Sequence, residues 1–229
     1  GVQAYDSAAS LCAASDLVIS AVTASNTLAV AEAAAPHMAP GALLLDLNSA
    51  SPGTKQQCAA LIGGAGAHYV EAGVMTSVPP YGIRVPMLLG GARAAELAPV
   101  LAGWGMDVRA GSEEIGVASA IKMCRSVMIK GLEALVIESY STARAYGVES
   151  HVLPTLAETF PGIDWEKQGA YFFSRVVQHG QRRAEEMRQS ARTAGEAGFE
   201  PFIARPLAYQ PHWGAARAPH GDVPGPPGP

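Results

Sequence analysis

Lysine is scarce in this chain of 229 residues. Only Lys55, Lys122, Lys130 and Lys167 are present, and charged residues of all kinds make up 16%. The formal charge is -4, with no basic patch of the sort that neutralises nucleic-acid phosphates or anionic lipid, so neither partner is expected. No stretch reaches the length of charge-free apolar sequence that a membrane span needs, and a soluble protein is expected. The cysteines, Cys12, Cys58 and Cys124, are odd in number, widely spaced and without a CxxC, which argues against a disulfide framework and a zinc site and fits a reducing cytoplasm. The opening "GVQAYDSAASLCAASD" has no basic region leading into an apolar core, which argues against a signal peptide. No internal repeat is visible. Small molecules or another protein are the expected partners.

What is there begins with short apolar runs. "DLVISAV" (16–22) and "GALLLDLN" (41–48) read as strands buried on both faces, and "SNTLAVAEAAAPHM" between them as a helix. "PGTKQQCAALIG" follows as a helix with proline in its first turn, then "HYVEAGV" and "RVPMLLGG" as strands and "ARAAELAPVLAGWG" as a helix. Alternation of this kind predicts an α/β sheet dominated by parallel pairing over residues 1–112.

From 113 to about 204 helical spacing takes over, so a second, all-α domain is expected, opened by a long helix within 116–147. Along that helix Ile121, Cys124, Met128, Leu132, Leu135 and Ser139 form an apolar stripe expected to be its buried side, with Lys122, Ser126, Lys130 and Glu133 as a polar stripe beside it. A shorter helix over "ESHVLPTLAETF" and a long one from Trp165, bending at Gly180, complete the domain. In the long one, Arg182 with Glu186 and Glu185 with Gln189 are spaced as a solvated ion-pair face, with an anion site of His179, Arg182 and Arg183 as the minority reading. Residues 205–229, rich in Pro and Gly, are expected to be disordered.

A lysine near the start of a buried helix can trade a proton with a substrate hydroxyl, because desolvation disfavours its charged form. Lys122 has that place, and Ser126 follows one turn on along the same face. The alternative is that Lys122 extends to solvent at the helix end. Lys130 and Glu133 either extend the polar stripe into a site or pair within the helical domain, and pairing is the favoured reading. His37 and His68 lack metal-ligand spacing and read as surface or cap residues.

Taken in order, "DLNSASP", "VEAGVMTSVPP" and "GVASAIK" opening a long helix resemble the β-hydroxyacid dehydrogenase family, which includes 3-hydroxyisobutyrate and 6-phosphogluconate dehydrogenases. "IKMCRSVMIKGLEAL" and "HGQRRAEEMR" resemble a bacterial subgroup whose C-terminal domain is of unknown function. The resemblance spans residues 5 to 205 and implies a Rossmann-like domain, an all-α dimerisation and substrate domain, NAD or NADP as cofactor, a small hydroxy acid as substrate and a homodimer. The family's helix-opening signature matches at Gly116, Ala118 and Lys122, implying Lys122 as general acid/base, while Ser126 stands where the family has Asn. The family's substrate loop matches at Glu71, Ala72 and Val74 and departs at Met75, Thr76 and Ser77, implying a substrate contact there that differs from the best-known members. Met75 either lines the substrate site, favouring something bulkier or less polar, or fills a core gap. Ser49, and Val22 with Thr23 after the strand "VISAV", are implied as cofactor-facing; local capping and turn bonds are the other reading of Ser49 and Thr23.

A dinucleotide site normally opens with a strand, a Gly-rich turn and a helix. Here "LIGGAGAHY" is glycine-rich but follows a helix, the wrong context. By resemblance, roughly 60 residues carrying that fingerprint are absent from the sequence. The strand "DLVISAV" is then expected as an open edge, cofactor affinity is expected to be reduced, and a non-catalytic dimerisation or ligand-binding module is the rival reading. Imine reduction is a weaker third, because such relatives replace the lysine.

Overall fold

Short apolar segments pair where their both-face burial predicts. The computed structural model describes residues 2–208, and of 175–183 the backbone alone. Five strands, β1 (Leu17–Ser20), β2 (Leu43–Asp46), β3 (His68–Val74), β4 (Met87–Gly90) and β5 (Val108–Ser112), form one sheet in that spatial order. β1, β2 and β3 are parallel, β4 is antiparallel to β3, and β5 is parallel to β4. Around the sheet lie α1 (Ala8–Ala13), α2 (Thr27–Ala34), α3 (Pro52–Gly64), the single turn α4 (Val78–Tyr81) and α5 (Ala94–Gly103).

The sheet is covered on two sides, as a mostly parallel sheet requires. Val18, Leu44 and Tyr69 pack with Ala31, Cys58 and Ile62 of α2 and α3. On the opposite face Leu45, Val70, Ala72 and Leu89 pack with Leu97 and Leu101 of α5. β1 is an edge strand, and its Ile19 is exposed. Because β1, β2 and β3 run the same way, the segments that follow them leave one edge of the sheet together.

Beyond the sheet the described chain is helical: α6 (Val117–Ala145), α7 (Glu149–Thr159), α8 (Trp165–Glu196) and α9 (Ala204–Ala208). The architecture is a Rossmann-like, mostly parallel α/β sheet followed by an all-α region, the class the alternating pattern predicts. Two compact units result, one containing the chain up to Arg125 together with Arg192–Glu200, the other Ser126–Ala191 and the chain from Pro201. In the second unit Val136, Ile137 and Tyr140 of α6 pack on Trp165 and Phe172 of α8 and on Leu153 and Leu156 of α7. The Tyr140 hydroxyl donates to the Trp165 carbonyl at 3.0 Å.

Several expectations are corrected. Most of the apolar stripe of α6 is exposed, not buried: Ile121 is 46%, Met128 72% and Leu135 66% exposed, and Cys124 is exposed too, while Leu132 packs against the core of the second unit and Ser139 is half-buried. The polar stripe faces inward instead, with Ser126 and Glu133 buried and Lys122 and Lys130 half-buried. Periodicity identifies the two faces of a helix but not which one meets protein. Lys130 resolves part of this by pairing with Glu186 at 2.8 Å within the second unit. α1 and β5 were not legible: β5 is largely exposed and does not alternate. Ala204–Ala208 is helical, against the disorder expected from Arg205, and residues from 209 onward lie outside the described ones. α8 continues as helix through Gly180, and the side chains of His179, Arg182 and Arg183 lie outside the described residues.

Candidate active site

The site is built on the way α6 begins. A helix start leaves amides without intrahelical partners, and here a buried carboxylate from the sheet satisfies them. Glu71 of β3 accepts the Gly116 amide at 2.7 Å and the Ala118 amide at 3.1 Å through Oε1, and the Ser119 hydroxyl at 2.6 Å through Oε2. Negative charge is favourable at this end of the helix dipole. Gly116 adopts φ +105, a region that L side chains rarely enter. Gly73 allows the close approach from the other side, since a Cβ there would lie 3.0 Å from the Ala118 carbonyl oxygen. The first turn of α6 is thereby locked to the sheet.

Lys122 lies just beyond that first turn, and its Nζ donates to Ser49 Oγ. Ser49 follows β2 in the "DLNSASP" segment. Its neighbour Asn48 is buried and ties the ends of two strands: Oδ1 accepts the Val22 amide at 2.6 Å, and Nδ2 donates to Ser20 Oγ at 2.9 Å. Val22 and Thr23 are exposed on the segment after β1. Thr23 also makes turn bonds, with its hydroxyl accepting from Asn26 Nδ2 at 3.1 Å and bonding Ser25 Oγ at 3.1 Å. Val22 is therefore tied through Asn48 to the segment that carries Ser49, the partner of Lys122, at the carboxyl ends of the parallel strands, while the bonds of Thr23 stay within its own turn.

Met75, Thr76 and Ser77 follow β3 at the same edge. The Met75 amide donates to the Pro86 carbonyl at 2.9 Å, continuing the β3–β4 pairing, and its methyl lies over Gly73, 2.9 Å from where a Cβ would stand. Thr76 is exposed and Ser77 half-buried. Ser126 is buried on the turn of α6 after Lys122, within the second unit.

Sequence reasoning missed a second lysine. Lys55 is 0% exposed and lies in the first turn of α3, the wrong end of a helix for a cation. Its Nζ is 3.0 Å from Asp46 Oδ2 and donates to the Asp46 carbonyl at 3.2 Å. Tyr69 donates its hydroxyl to the same Oδ2 at 2.5 Å, and burial, reinforced by Asp46, pushes the phenol pKa well up, keeping it a donor. Cys58 nearby is pushed up to about 11, first by burial and then by Asp46, with Lys55 opposing. The legible signal was a Lys in a helix's first turn shortly after an Asp. A further anion, Glu196 of α8, closes the N-terminus of α3 by accepting Ser51 Oγ at 2.8 Å and the Gly53 amide at 2.9 Å.

A cluster of hydroxyls beside an exposed apolar Val22, with a lysine within reach, suits the nicotinamide–ribose half of a dinucleotide. No group of three or more His, Cys, Asp or Glu that could hold a metal occurs among the described residues. No helix among them is long and apolar enough to cross a membrane.

A parallel-dominated sheet with a lysine-bearing helix at its carboxyl edge defines a dehydrogenase-type dinucleotide-binding fold. Residues 1–110 match the NAD binding domain of 6-phosphogluconate dehydrogenase, and residues 143–210 match a domain of unknown function, DUF1932. The chain is 30% identical over 190 residues to an uncharacterized 28.5 kDa protein from Methanothermus fervidus, covering 82% of this chain and 71% of that protein. A conserved hypothetical protein from Sinorhizobium meliloti 1021 is similar in structure at 41% identity, TM-score 0.81, over 96% of this chain and 73% of that one. A conserved protein of unknown function, described as structurally similar to 3-hydroxyacid dehydrogenases, matches at 30% identity and TM-score 0.71, over 86% of this chain and 73% of that one. The chain belongs to the β-hydroxyacid dehydrogenase family of NAD(P)-binding proteins, in the group that carries this C-terminal domain of unknown function.

Proposed function

We propose that the protein is an NAD(P)-dependent oxidoreductase that acts on a hydroxyl-bearing carbon of a small hydroxy acid, with Lys122 as general acid/base. The observation that carries this reading is the contact of Lys122 Nζ with Ser49 Oγ at the carboxyl edge of the sheet, beside Val22 and Thr23. Bound NAD(P) supplies the hydride acceptor or donor. Lys122 Nζ takes the proton from the substrate hydroxyl in oxidation and returns it in reduction, and Ser49 holds the amine in place between turnovers. The Met75 amide is engaged with Pro86, so amide contact to the substrate's anionic group falls to Thr76 and Ser77. The Met75 side chain excludes water from that end. Ser126, one turn beyond Lys122, orients the reacting oxygen.

The protein works as a homodimer in the cytoplasm. The exposed apolar side of α6, with Ile121, Met128 and Leu135, supports the first part, and three free thiols support the second.

The test is fluorescence titration with NADH and NADPH, on this chain and on one carrying in addition an N-terminal strand, Gly-rich turn and helix, followed by a hydroxy acid screen. Lys122→Ala should lower turnover by a factor on the order of 10² to 10⁴ with cofactor affinity nearly unchanged. Failure of both forms to bind either nucleotide would leave a dimerisation or ligand-binding module as the better reading.

A further inference from the structure

The Lys55–Asp46 pair is a costly device for stability. Taking both charges out of water is costly, and an apolar pair of similar volume commonly serves a core as well or better. Lys55 is also one of only four lysines in the chain, and it lies at the unfavourable end of its helix.

What the pair does is geometric. Asp46 is the last residue of β2, and every oxygen it has is engaged. Its carbonyl and Oδ2 take Lys55, Oδ2 also takes the Tyr69 hydroxyl, and Oδ1 accepts the Asn48 amide at 2.8 Å. That last bond sets the turn by which the chain leaves the strand. It presents the Asn48 side chain to Val22 and Ser20, on the neighbouring strand's exit. The residue after Asn48 is Ser49, the partner of Lys122. A run of contacts thus leads from the buried charges to both segments that flank the proposed nicotinamide position.

We propose that Asp46, Lys55 and Asn48 are positioning residues, a buried charged brace that holds the Val22–Thr23 segment and Ser49 at a fixed separation and so sets the nicotinamide end of the cofactor against Lys122. The proposal rests on the function proposed above. None of the three is a catalytic residue, because each acts through Val22 or Ser49.

The test compares the full chain with D46N/K55M, which removes both charges and keeps one side-chain acceptor oxygen, for the Asn48 amide, while its NH2 donates to the Tyr69 oxygen, and with Asn48→Ala and Asn48→Asp. Two readouts are taken. Amide hydrogen exchange without any nucleotide should show Val22 exchanging at least tenfold faster in D46N/K55M and Asn48→Ala, beyond what the change in global stability gives the core amides. Asn48→Asp, which still accepts from Val22 and from the Ser20 hydroxyl, should retain the protection. Titration with NADH and with ADP-ribose should then show NADH binding weakened about tenfold and ADP-ribose binding unchanged, since ADP-ribose lacks the nicotinamide. Unchanged Val22 exchange in a folded variant overturns the brace, and so does equal weakening of both ligands. If the parent chain binds neither ligand, it is the proposed function that has failed, and the exchange data still decide whether the brace exists. Should D46N/K55M not fold, the Asn48 pair gives the same two readouts.

Discussion

Glu71 on β3 caps α6 from 45 residues upstream of Gly116, its Oε1 taking the Gly116 amide at 2.7 Å. The Ala118 amide and Ser119 hydroxyl share the carboxylate, so the sheet and the lysine-bearing helix are joined by charge-assisted bonds in a water-free place. Glu71→Ala leaves buried donors without an acceptor and should cost about 3 kcal/mol, read as a lower urea midpoint; Glu71→Gln, which keeps one acceptor oxygen, should cost about half as much. Gly116→Ala should cost about 1–2 kcal/mol through its positive φ alone. If Glu71→Ala unfolds at the parent's urea concentration, the cap contributes nothing.

Lys130 and Glu186 meet at 2.8 Å with side chains 12% and 20% exposed. Removing one partner takes a charge-assisted contact from the other in a largely buried place. Lys130→Met alone should therefore destabilise by about 1–2 kcal/mol, and the double variant with Glu186→Leu should recover most of it. A double-mutant cycle with no coupling between the two positions would refute this.

Cys58 makes stability depend on pH in the alkaline range. Its thiol is held up at about 11 in the folded chain against an ordinary value of 9.0. Between those values the unfolded chain releases a proton that the folded chain keeps. The contribution is therefore fully present below pH 9 and is lost as pH rises to 11, by about 2–3 kcal/mol at 1.36 kcal/mol per unit. The raised Tyr69 phenol acts in the same direction from its ordinary value of 10.0 upward, in the parent and in Cys58→Ala alike. Urea titrations at pH 8, 9, 10 and 11 should show a shallower decline in Cys58→Ala than in the parent. Parallel declines would mean that the thiol is not the titrating group.

Thiol labelling reads the exposed side of α6. Cys12 and Cys58 are buried and Cys124 is exposed, so an aromatic disulfide reagent should titrate one thiol per native chain in dilute solution and three in denaturant. If α6 forms the dimer interface, labelling of Cys124 slows as protein concentration rises, and Leu135→Glu abolishes that slowing. A labelling rate independent of concentration, in a protein that sediments as a dimer, would put the interface elsewhere.

The sequence by itself determined the α/β class, four of the five strands, the long helices and the family, because buried strands, helix periodicity and ordered motifs are local or linear properties. Lys122 stood out as a candidate for the same reason: it stands at a set distance along a helix from Gly116. Tertiary structure alone decided which side of α6 faces protein, since Met128 and Leu135 are as apolar as any core residue and nothing local says that they are exposed. It alone decided the partners of the charges. Lys55 finds Asp46 nine residues back, Lys122 finds Ser49, and Glu71 finds the start of α6, all by sheet register and helix docking rather than by spacing. A buried charge is tolerable only where a partner meets it, and which partner meets it is set by how distant segments fold against one another.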